Sequence, residues 1–127
     1  MAITAIYAAL LGLLLLVLSI NVIRIRRSDR ISLGAGDNPL LERRIRAQGN
    51  FAEYVPIALI LIAIVESTGG DVLLVHGLGV VLLIGRLAHA IALSSMTLRP
   101  MFRVVGMLAT IAVIASASIR LLIAAVV

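Results

Sequence analysis

The sequence predicts an all-α integral membrane protein, a four-transmembrane-helix up-down bundle forming one domain over residues 1–127. Composition is the first reason: 62% of the chain is hydrophobic and only 13% charged, with mean hydropathy +1.20, against roughly 45–50% apolar residues in soluble domains. The second is that apolar runs of about 20 residues, the length that crosses a bilayer, recur along the chain. The third is that they are separated by short segments rich in turn-forming residues. A length of 127 residues leaves little room for a soluble domain besides.

The first helix is expected over about 3–24. Ile3 to Ile23 is broken only by Thr4, Gly12, Ser19 and Asn21. Arg24, Arg26, Arg27 and Arg30 follow this run, whereas a cleaved signal peptide carries its charge in front, so the segment reads as an anchor. Gly34, Gly36, Asp37, Asn38 and Pro39 mark a loop, and a second helix is expected over about 40–66 with Pro56 inside it. Its first turns are polar, and only Val55 to Val65 is continuous hydrocarbon. Ser67 to Asp71 reads as a tight turn, after which a third helix is expected over about 72–96. The break from Ser94 to Pro100 precedes a fourth over about 101–126.

Net charge is +5, and all eleven basic residues are arginine. With no tryptophan and two tyrosines, the stacking platform of a nucleic-acid binder is missing. The arginines crowd the first and third loops and avoid the second, which holds Glu66 and Asp71. By the positive-inside rule, both termini are expected outside the cytoplasm. Arg120, the exception, is placed to snorkel to the outer interface, and His76 is expected at that interface too.

Arg43, Arg46, Asn50 and Glu53 are spaced i, i+3, i+7 and i+10, so they form a polar stripe on one side of the second helix. Ionisable residues at membrane depth are costly and by default mark a functional site; the plain alternative is a set of headgroup arginines with one structural ion pair. Arg86 has a long apolar run before it and needs an acceptor, for which Glu53 is the expected partner. His89 lies one turn on, and Arg99 and Arg103 are i, i+4 neighbours. Guanidiniums beside an amide and a carboxylate suit a small ligand bearing carboxylates and an amine, a description that glutathione, anionic nucleotides and lipid headgroups each meet in part. There are no cysteines, and His76 and His89 lack ligand-spaced carboxylates, so neither a metal site nor a thiol nucleophile is expected within the chain. Gly85, Ala88 and Ala92 form one small-residue row and Gly106 with Thr110 another, suited to close helix packing within or between chains.

R-A-Q-G-N-F-A-E-Y-V-P at Arg46 to Pro56 resembles the second-helix signature of the MAPEG family, membrane-associated proteins in eicosanoid and glutathione metabolism. G-R-L-A-H at Gly85 to His89 and L-R-P-M-F-R-V-V-G at Leu98 to Gly106 are similar to its third helix and fourth-helix start, and Gly34 to Asp37 to small bacterial members. The resemblance implies a homotrimer in a bacterial inner membrane, with glutathione bound between protomers near the cytoplasmic face. It assigns Arg46, Asn50, Glu53, Tyr54, Arg86 and His89 to holding the tripeptide, with Arg26 or Arg24 as a first-helix contact. Arg103, or alternatively Arg99, would favour the thiolate that attacks a lipophilic electrophile or lipid hydroperoxide.

Leu93 and Met107 stand where several members have tyrosine, and Val104 where one branch has a hydroxyl residue. Those departures make glutathione binding better supported than turnover, and a non-catalytic lipid- or ligand-binding scaffold is the alternative to a transferase or peroxidase. A small four-helix transporter is disfavoured because Glu53 lies toward one end of its helix and the first helix has no acid.

Overall fold

A computed structural model of the protein describes residues 1–96 and 100–126. It consists of α1 (Ala2–Asp29), α2 (Pro39–Ser67), α3 (Val72–Ser94) and α4 (Pro100–Val126), each long and apolar enough to span a membrane. α2 and α3 form the centre. α1 packs on both of them from one side and α4 on both from the other, and among the described residues α1 and α4 do not touch.

α1 runs to Asp29, beyond the apolar run at which the sequence reading ended it, because arginine is a good helix former even where hydrocarbon gives way to polar surroundings. It stops at Arg30, which adopts the left-handed conformation (φ 54°) while Ile31 donates its N–H back to the Arg26 carbonyl. Asn38 then opens α2: its Oδ1 accepts from the Leu41 amide (2.9 Å), with Pro39 at the first helical position. Gly69 (φ 79°) and Gly70, whose N–H reaches the Val65 carbonyl at 2.8 Å, close α2 with the 6→1 bond of a Schellman turn. α3 ends at Ser94, slightly short of expectation, where Ser95 turns extended.

The inward faces carry a continuous apolar core from Leu11 and Leu18 of α1 through Phe51, Val55 and Ile62 of α2 and Leu82 of α3 to Val113 and Ala117 of α4. In lipid, burying such groups adds little, because acyl chains are as apolar as leucine; close packing and polar clamps must supply cohesion. The clamps are visible. Glu66 accepts from the Ile3 and Thr4 amides (3.0 and 2.8 Å) and the Thr4 hydroxyl, capping the start of α1 from the end of α2. His76 is half-buried and hydrogen-bonds Tyr7 at 2.9 Å, and the Tyr7 ring lies against the bare backbone of Gly79. Gln48 donates to the Ser19 hydroxyl at 2.9 Å.

Gly85 and Gly106 of the small-residue rows meet each other within the chain. A methyl group on Gly106 would collide with the Gly85 carbonyl oxygen and come within 2.8 Å of the His89 backbone nitrogen. One on Gly85 would meet the Ala109 Cβ at 2.9 Å. α3 and α4 therefore cross backbone to backbone at this point, which sets the side chains just beyond it close together.

Candidate functional site

At 3.6 residues per turn, Arg43 and Asn50 stand nearly in line on α2, while Arg46 and Glu53 are rotated about 60° to one side. Packing separates the two pairs. Arg43 faces the end of α3, donating from Nε to the Leu93 carbonyl (3.1 Å) and from Nη2 to those of Ala92 (3.0 Å) and Ser95 (2.8 Å). It thereby satisfies carbonyls that a helix end leaves unpaired. The stripe that looked uniform in sequence is half internal clamp and half exposed edge, since Arg46 and Glu53 are both exposed.

Arg86 is 1% exposed, the largest fully buried side chain among the described residues. Its Nη2 donates to Asn50 Oδ1 at 2.8 Å and its Nη1 to the Thr110 hydroxyl at 3.4 Å, with the Phe51 ring 5.8 Å from the guanidinium carbon. Thr110 in turn donates to the Gly106 carbonyl at 3.0 Å. The expected Arg86–Glu53 pair is thus corrected: Glu53 is exposed and makes no ion pair with Arg86, and an amide and a hydroxyl serve in its place. Arg86 Nε has no partner, so the guanidinium is buried with donors in excess and no carboxylate beside it. A side-chain charge so placed normally has a counter-charge.

Next to this cross-link lies a crevice of roughly 420 Å³ between the arginine ends of α2, α3 and α4. Arg46, Asn50, His89 and Arg103 contribute its polar groups; Leu93, Val104, Met107 and Leu108 make it otherwise apolar. His89 is 4% exposed, and neither ring nitrogen has a hydrogen-bond partner. Arg46 and Arg103 have no protein partner among the described residues. The result is an oily slot with two free guanidiniums, an unsatisfied imidazole, and no acid in its lining.

The fold therefore brings Arg46, Asn50, His89 and Arg103 together and keeps Arg86 directly behind Asn50. It does not bring in Glu53 or Tyr54, which sit one turn further along α2, nor Arg26, whose Nη1 is used on the Gly34 carbonyl at 2.8 Å. Arg99 lies outside the described residues. Thr110 was legible only as a packing residue. Its spacing i+4 from Gly106 was the available signal that it would face α3 where Arg86 needs an acceptor.

The profile of the MAPEG family matches residues 4–123, nearly the whole chain. The chain belongs to the MAPEG family. It is 42% identical over 87 residues to the protein called inner membrane protein YecN in Escherichia coli strain K12, and equally so to the YecN of Escherichia coli O6:H1 strain CFT073. Each match covers 68% of this chain and 66% of the relative, slightly under two thirds of its length. The four long apolar helices are those of a four-span MAPEG membrane bundle, and the crevice lies inside the matched segment.

Proposed function

We propose that this MAPEG protein binds glutathione in the crevice at its arginine end and directs the bound thiol at lipophilic electrophiles or hydroperoxides arriving from the bilayer. The supporting observation is the pairing of two unpartnered guanidiniums, Arg46 and Arg103, with the unsatisfied His89 ring in one slot that holds no acid. Glutathione is a doubly carboxylated tripeptide, and guanidinium forks grip carboxylates in bidentate fashion. It supplies the thiol when bound. Arg46 and Asn50 would orient the peptide, and the His89 nitrogens would accept or donate one further hydrogen bond. Arg103 would favour the anionic form of the sulfur: a thiol titrates near about 8.5, and moving that by two units takes about 2.7 kcal/mol, within reach of one desolvated charge.

The ammonium of the tripeptide needs an acid that this slot lacks. Glu53 is exposed, so a second copy packed against it would bring a carboxylate to a neighbour's crevice. That requirement supports the homotrimer expected of the family. The inner-membrane location given for YecN fits this chain as well, with the arginine loops in the cytoplasm.

The decisive experiment mixes purified protein with glutathione and an aryl halide. Conjugate should form, with a thiolate absorbance on binding, and Arg103→Ala should cut the rate by about 10²-fold, the usual effect of removing one transition-state donor. Absence of both the thiolate signal and conjugate above background would overturn the proposal. A second reading has its own support, because Leu93, Val104 and Met107 all line the slot and none offers a hydroxyl. Under that reading the protein binds without turnover. Glutathione at 100 times its Kd would then still stabilise the fold by about 2.7 kcal/mol, without conjugation.

A further inference from the structure

The second large concavity lies at the opposite end of the bundle, between α3 and α4, and has no part in the thiol reading. It is a groove of roughly 590 Å³ whose walls include Gly77 and Val81 of α3 and Ala112, Val113 and Ser116 of α4, with Asp71 at its rim. From Asp71 to Val81 it extends about 15 Å along α3, half of the roughly 30 Å hydrocarbon thickness of a bilayer. Its length is therefore that of one leaflet. The floor is open over Gly77, where a Cβ would meet nothing within 4 Å.

Charge defines the end of the groove. Arg120 is one turn beyond Ser116 and two turns beyond Val113, on the groove-lining side of α4. It is exposed, has no partner among the described residues, and is the one arginine at this end of the bundle. Opposite it, Asp71 uses only Oδ1 to cap α3, accepting from the Leu73 and Leu74 amides at 2.9 and 3.1 Å. Oδ2 is left open. A leaflet-long apolar slot thus has a carboxylate at its rim and, on the facing helix, an arginine one turn beyond its last lining residue.

We propose that this groove binds a phospholipid whose headgroup carries both a phosphate and a primary ammonium, as phosphatidylethanolamine does. One acyl chain fills the slot over Gly77 and Ala112, the phosphate meets Arg120, and the ammonium meets Asp71 Oδ2. Phosphatidylglycerol, with a single negative charge and no cation, satisfies Arg120 but offers Asp71 only neutral hydroxyls, weaker partners for a carboxylate than an ammonium.

Delipidated protein in mild detergent, titrated with phosphatidylethanolamine or phosphatidylglycerol and followed by native mass spectrometry and thermal unfolding, tests this directly. Phosphatidylethanolamine should be retained about tenfold better, the effect of one added charge-assisted contact. Arg120→Gln should weaken both lipids. Asp71→Asn, which keeps the helix cap, should equalise them. Gly77→Leu should block the slot and abolish retention of either, with Gly77→Ser as a milder substitute where the leucine variant does not fold. Equal retention of the two lipids by the natural protein, or unchanged retention in the Gly77 variants, would overturn the proposal. So would efficient disulfide formation between copies carrying Gly77→Cys or Ala112→Cys in native membranes, which would assign the groove to a second subunit.

Discussion

Arg86 of α3 and Asn50 of α2 are joined by a 2.8 Å hydrogen bond from Nη2 to Oδ1 in the buried centre of the bundle, behind the arginine-end crevice. The bond ties the crevice to the core, because Asn50 also lines the slot while Arg86 continues through Thr110 to α4. A charge held by neutral acceptors depends heavily on each of them.

Asn50→Leu should therefore destabilise the protein by about 1–3 kcal/mol, the penalty for a buried polar group left unsatisfied. The double variant Asn50→Leu with Arg86→Met should recover much of that loss, since removing both partners leaves no stranded charge. Thermal unfolding of the three proteins in one detergent checks the order, and equal stability of the single and double variants would contradict it.

Gly106→Ala should cost about 1–3 kcal/mol, because the added methyl meets the Gly85 carbonyl and the α3 backbone cannot yield as a side chain would. Gly12→Ala is the control, a site where a Cβ meets nothing within 4 Å. Folded yield by size-exclusion chromatography should fall for the first and hold for the second.

Arg43→Lys should loosen the end of α3 almost as much as Arg43→Ala. A lysine ammonium is a point donor and cannot reproduce a guanidinium fork that reaches the Ala92, Leu93 and Ser95 carbonyls together. Hydrogen exchange in the last turn of α3 should accelerate in both variants while the centre of α3 stays protected.

Leu93→Tyr should raise conjugation activity by about tenfold, or 1.36 kcal/mol, by returning a phenol donor to the crevice wall. Rates with glutathione and an aryl halide, compared with Leu93→Phe, separate the hydroxyl from ring size. No difference between the two variants would show that the phenol does not reach the sulfur.

Four helices and their boundaries were legible in the sequence to within a few residues, because span length and turn chemistry are local properties of the chain. So was the crowding of polar groups near Arg46, Asn50 and Arg103, since burying charge is costly wherever the chain goes. The division of the Arg43-to-Glu53 stripe was not legible. Periodicity shows that those residues share one side of a helix, but only the direction in which α3 packs decides that Arg43 and Asn50 turn inward and Glu53 outward. The partner of Arg86 was decided in the same way: Glu53 was the stronger acceptor by charge, yet the close crossing of α3 and α4 at Gly85 and Gly106 presents Thr110, and the packing of α2 on α3 presents Asn50, at hydrogen-bonding distance instead. Sequence determined which residues had to find partners, through hydropathy and charge; tertiary structure chose the partners, because a hydrogen bond depends on positions a few ångströms apart that only the packed helices establish.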